Sequence, residues 1–121
     1  MGFRSFMRTT AETRELHSVG NMRTRYYKTN YNKVKAKVLL HVEKLGSDVM
    51  NIDDVHGEIF IQSNKYHMII SIIQVNPIET AVDFKVEFYG LIGRNRPQKM
   101  IQEFYSYLDS ELPFKGTSLH P

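Results

Sequence analysis

The plainest pattern in the chain lies beyond its midpoint, where Val82, Phe84, Val86 and Phe88 alternate with Asp83, Lys85, Glu87 and Tyr89. A period of two marks a strand with one buried face and one largely wet face. The preceding run, YHMIISIIQV, has the residue types of a strand but is apolar on both sides. Ile69, Ile73 and Val75 fall on one face, and Met68, Ile70 and Ile72 on the other. DVMNI and EIFIQS read as two further strands, with turns at DDVHG and SNK and a break at NPIE. Four strands in succession predict an antiparallel meander.

Two segments switch to helical spacing. In TNYNKVKAKVLLHVEKLG, Tyr31, Val34, Val38, Val42 and Leu45 share one narrow sector at about 100° per residue, with Asn30 placed to cap the start and Gly46 the end. After Pro97, a residue suited to a first helical turn, Met100, Ile101, Phe104, Tyr105, Leu108 and Leu112 repeat at helical intervals. A short strand-prone segment, RTRYYK, precedes the first helix. The expected fold is therefore α+β: an antiparallel sheet with two helices on one face, in the order β-α-β-β-β-β-α. Residues 1–22 read as a tail with room for one short helix, residues 23–113 as the single domain and residues 114–121 as a C-terminal tail.

One helical layer cannot cover both faces of the doubly apolar strand. Met68, Ile69, Ile70, Ile72, Ile73 and Val75 are thus candidates for an association face, whichever alternate set is not core. The cover could be the N-terminal segment, a second subunit or other protein partner, or a ligand.

The element order resembles that of TATA-binding-protein-like folds, in which two helices lie on one face of a curved antiparallel sheet. At the level of residues, MGF followed by TAETRELH and MRTRYYK, together with TAVDF, is similar to small uncharacterised cytosolic proteins of Gram-positive bacteria. That resemblance implies a bacterial, cytoplasmic setting and brings no activity with it. A chain of 121 residues without cysteine agrees with one core and excludes disulfides, thiol nucleophiles and zinc knuckles. No stretch approaches the roughly 20 apolar residues of a membrane-spanning helix. Phe3, Phe6 and Met7 beside Arg4 and Arg8 make a short amphipathic run, and Phe6 stands where a myristoylation signal wants Ser or Thr.

Charge adds a second hypothesis. The net charge is only +3, yet residues 1–45 carry five Arg and five Lys against Glu12, Glu15 and Glu43, while acids outnumber cations in the remainder. The stretch GLIGRNRPQKM gathers Arg94, Arg96 and Lys99 at the entry to the second helix, where unpaired backbone amides favour anions. It lacks the Gly-x-x-x-x-Gly-Lys-Ser/Thr of a P-loop. Its Gly-x-x-Gly follows a strand, whereas the same motif in KH domains joins two helices. Arg23, Arg25, Lys33 and Lys37, interleaved with Tyr26, Tyr27 and Tyr31, could extend such a site towards nucleic acid.

Catalytic and metal chemistry finds little to stand on. His17, His41, His56, His67 and His120 have no metal-ligand spacing, and Asp53 and Asp54 before Gly57 are turn residues. No nucleophile motif is present, and no cofactor is implied. The sequence leads to a non-enzymatic domain that acts by protein association, as a homodimer or with another partner, with nucleic-acid or phosphate binding as the alternative.

Overall fold

The computed structural model describes residues 10–90 and 95–117. The expected series is present as β2 (Arg25–Tyr27), α1 (Tyr31–Leu45), β3 (Asp48–Asp53), β4 (Glu58–Gln62), β5 (Tyr66–Asn76), β6 (Glu79–Phe88) and α2 (Arg96–Glu111). It is extended by a strand at each end, β1 (Thr10–Glu12) and β7 (Phe114–Thr117). These two strands fall in the segments read from sequence as tails. At three and four residues they are too short to display a period, and long-range pairing is what makes them strands. The readings for residues 1–9, 91–94 and 118–121 lie outside the described residues.

All strands join one antiparallel sheet in the order β3-β4-β5-β6-β2-β7, with β1 also on β6. The α1 helix begins where the Asn30 side chain accepts from the Lys33 amide at 3.0 Å, and it ends at Gly46 in the left-handed region. Val34, Val38 and Val42 are its buried residues, while Leu45 at the end of the same stripe is exposed. Asn95 precedes α2 in a left-handed conformation and makes no side-chain cap, so its contribution is a backbone carbonyl that accepts from the Lys99 amide at 2.9 Å.

Both helices cover the face that carries Ile59, Ile61, Met68, Ile70, Ile72, Val82, Phe84, Val86 and Phe88. The core is built there, with Met100, Ile101, Phe104, Tyr105 and Leu108 of α2 packed against Val34, Val38 and Val42 of α1. The β3–β4 turn is held close to it. Asp53 Oδ1 accepts from the amides of Val55 and His56, both at 3.1 Å, and Gly57 bonds through its carbonyl to the Ile72 amide at 2.7 Å. A Cβ at Gly57 would sit 2.1 Å from the Ile72 carbonyl oxygen.

The edge of β6 has an unusual occupant. β1 pairs along it as far as Glu12 opposite Lys85, and the Thr13 amide continues to the Phe84 carbonyl at 2.8 Å. β2 resumes on the same edge with Arg25 opposite Val82. Two strands thus share one track, and residues 14–24 form an excursion between them. Met22, within a 3-10 turn at Gly20–Met22, anchors the excursion in the core.

Candidate association face

The side chains that alternate away from the helices form the second face of the sheet. Register places them in rows across the strands. Phe60, Ile69, Lys85 and Glu12 make one row; Glu58, Ser71 and Asp83 the next; Ile73, Ala81 and Tyr26 the third. Val75 lies where the β5–β6 register shifts between Gln74 and Asn76, a bulge that leaves it unpaired. Together with Arg14, Glu15 and Thr24 these rows, Phe60 excepted, line a shallow groove of about 610 Å³.

Its floor is aliphatic and open. Ile73 is 55% exposed and Val75 48%, both beyond Ser71, where the pairing of β5 with β4 ends and β6 is its remaining neighbour. Of the six β5 residues proposed from sequence, Met68, Ile70 and Ile72 are buried under the helices, so they are core and cannot meet a partner. Ile69, Ile73 and Val75 are the three that face the groove.

One wall is built by the excursion. Thr13 and Thr24, at its two ends, both donate their hydroxyls to Asp83 Oδ1 at 2.7 Å, and the Phe84 amide donates to Thr13 Oγ1 at 2.9 Å. Beneath them Tyr105 donates to the Val82 carbonyl at 2.6 Å. Burial pushes the Asp83 carboxyl above its ordinary range; the two threonine hydroxyls pull the other way, and the charge of Glu15 adds to the rise. Tyr26 is buried, and its hydroxyl donates to Glu15 at 2.8 Å. Its pKa is raised by burial first and by that hydrogen bond second. The groove therefore carries Glu12, Glu15, Glu58 and Asp83 against Arg14 and Lys85.

The cations of the alternative hypothesis are not brought to one place. Arg25 ion-pairs with Asp109, its guanidinium 4.7 Å from the Tyr105 ring centroid and 5.4 Å from that of Phe114. Lys37 binds Glu111 at 3.0 Å, a hydrogen bond that raises its pKa. Both acids lie in the last turn of α2. Arg96 and Lys99 are exposed at the opposite end of that helix, about 20 Å away at 1.5 Å per residue. Arg96 lies over the Phe88 ring at 5.8 Å, Arg23 donates through Nε to the His17 carbonyl at 2.9 Å, and Lys33 is exposed on α1. Arg94 is outside the described residues. Tyr26 and Tyr27 are buried and present no ring for base stacking, and Tyr31 gives its hydroxyl to Asp54 at 2.7 Å.

The described histidines are dispersed. His41 is packed between Phe104 and Tyr107, His56 bonds Asp53 at 2.8 Å and His67 bonds Tyr89 at 3.0 Å. Among the described residues no three His, Cys, Asp or Glu side chains are grouped to hold a metal ion. No helix among them is long and apolar enough to cross a membrane.

No protein-family model and no curated protein matches the chain. The meaning of the site rests on its own geometry. Sequence reasoning found the aliphatic floor through the doubly apolar pattern of β5. It assigned Tyr26 to the nucleic-acid alternative, and it missed Asp83, Thr13 and Thr24, because the outward position of Asp83 in β6 looks like any solvated strand residue and nothing local links it to threonines 70 and 59 residues earlier.

Proposed function

We propose that this chain is a non-enzymatic association domain of the bacterial cytosol, binding a protein partner through the second face of its sheet. The observation that carries the reading is the exposure of Ile73 and Val75 beside Ile69 on the open face of β5. Single exposed aliphatics are ordinary on protein surfaces, whereas several aliphatics on one sheet face, rimmed by charge, are the anatomy of an interface. The polar groups of the groove already have roles that do not suggest chemistry: Asp83 secures the ends of the excursion and Tyr26 is bonded to Glu15. The anion alternative retains Arg96 and Lys99 as exposed cations, remote from Arg25 and Lys37.

A photo-crosslinking residue at Ser71, on the floor of the face, tests the reading in cells, with the same residue at Lys33 on α1 as the control. A discrete protein adduct from position 71 and none from position 33 is expected. No adduct from position 71, or equal adducts from both, sinks the proposal.

A further inference from the structure

The open face has a direction and a charge, and together they describe its occupant. Ile69, Ile73 and Val75 lie along β5 over six residue steps, about 20 Å at 3.3 Å per step. Glu58 borders this stripe on the β4 side; Asp83 and, farther out, Glu12 border it on the β6 side. Lys85 and Arg14 offset part of that charge, and the groove remains net acidic. β5 is paired on both sides only from His67 to Ser71, and the bond from the Ile72 amide to the Gly57 carbonyl ends the β4 side. The last residues of β5 therefore offer a short edge, whereas the stripe from Ile69 to Val75 is presented by side chains on the face. An occupant that meets side chains along the whole stripe lies on the face as a second layer, and a helix supplies one from a single segment. A stripe of about 20 Å corresponds to roughly 13 helical residues.

We propose that the occupant is a basic amphipathic helix from a protein partner, its apolar stripe seated on Ile69, Ile73 and Val75 and its Lys or Arg side chains directed to Glu58, Glu12 and Asp83. The inference rests on the association reading and names the chemistry of the partner. A second copy of this chain fits less well, since two-fold pairing of the face with itself doubles the carboxylate excess across the interface. Nucleic acid is repelled by the same carboxylates.

The test uses the full chain and two labelled synthetic peptides of about 14 residues, one of Leu and Lys at amphipathic helical spacing and one with Glu in place of Lys. Binding is followed by fluorescence anisotropy at low and high salt. The Leu/Lys peptide is expected to bind at least about tenfold more tightly than the Leu/Glu peptide, and to weaken as salt rises. Glu12→Lys combined with Glu58→Lys, two surface changes checked for folding by circular dichroism, is expected to lower its affinity about tenfold. Ile73→Lys is expected to abolish it.

Equal binding of both peptides, or indifference to the double charge reversal, overturns the basic helix while leaving the face as an association surface. Failure of both peptides with a dimer by light scattering that Ile73→Lys dissociates overturns it in favour of a second copy. Failure of both peptides with a monomer and no adduct from position 71 removes the association reading as well.

Discussion

Ile72 and Ile73 are neighbours of identical composition on opposite faces of β5, and they give a direct test of how the sheet is layered. Ile72 is 1% exposed beneath the helices, and Ile73 is 55% exposed on the open face. Truncating Ile72 to alanine removes buried methylene and methyl groups and leaves a cavity that packed neighbours cannot fill. The expected cost is about 2–5 kcal/mol. The same truncation at Ile73 leaves no enclosed cavity and forfeits only part of the transfer free energy, below about 1 kcal/mol. At roughly 3–5 °C per kcal/mol for a domain of this size, Ile72→Ala should lower the melting temperature by on the order of 10 °C and Ile73→Ala by only a few degrees. Urea denaturation of dilute monomeric protein, followed by circular dichroism, measures both. Equal costs at the two positions would falsify the one-sided layering, because Ile73 would then be as enclosed as Ile72. A loss at Ile73 that grows with protein concentration would instead report a second subunit on the face.

Four further outcomes follow from particular groups. The Asp83 carboxyl has a folded pKa raised above its ordinary 3.8, so the folded state binds more protons just above that pH and its stability falls as pH rises through the window; Asp83→Asn should flatten this slope in melting curves and stabilise the protein at neutral pH, and an unchanged slope would refute the burial argument. His41 has the opposite sign: burial first, and Lys44 second, lower its pKa from 6.5 while Glu103 partly opposes them, so stability should be lost as pH falls below 6.5, and His41→Phe should remove that part of the loss. Gly57→Ala combines a backbone clash with a φ of +69° and should cost about 3 kcal/mol or more in urea denaturation, where a cost below 1 kcal/mol would mean that β5 can move away. Single-stranded RNA in about 0.15 M salt should bind wild type no better than the Arg96→Ala, Lys99→Ala double variant; a tighter, steeply salt-dependent wild-type complex would revive the anion site.

The parts of the fold that were legible in the sequence are those specified locally. The alternation of β6, the valine stripe of α1 between Asn30 and Gly46, and the apolar repeat after Pro97 each occupy ten or more consecutive residues, long enough for a period to stand out. The doubly apolar β5 announced an uncovered face, though which alternate set was core depended on where the helices packed. Groups whose environment is supplied from far away were not legible. Tyr27 is buried and bonded to Asp109, 82 residues later, and Arg25 is held by the same carboxylate. Both looked like parts of a basic surface because their partners lie in another element. Asp83 is the converse case, an outward strand residue that the ends of the excursion enclose.

The shared track on β6 also sets an order of events during synthesis. The meander from β3 to β6 consists of neighbouring antiparallel strands and can pair as each strand emerges. β1 and β2 cannot, because their partner on the sheet is β6 itself, and Thr13 waits 70 residues for Asp83. Until then residues 10–27, with the apolar side chains of Met22, Tyr26 and Tyr27, have no sheet to join. Contacts of such separation slow folding and leave apolar segments open to misassociation. β7 closes onto β2 only after α2 has been made. The vulnerable interval for the nascent chain therefore runs from the release of β2 to the arrival of β6.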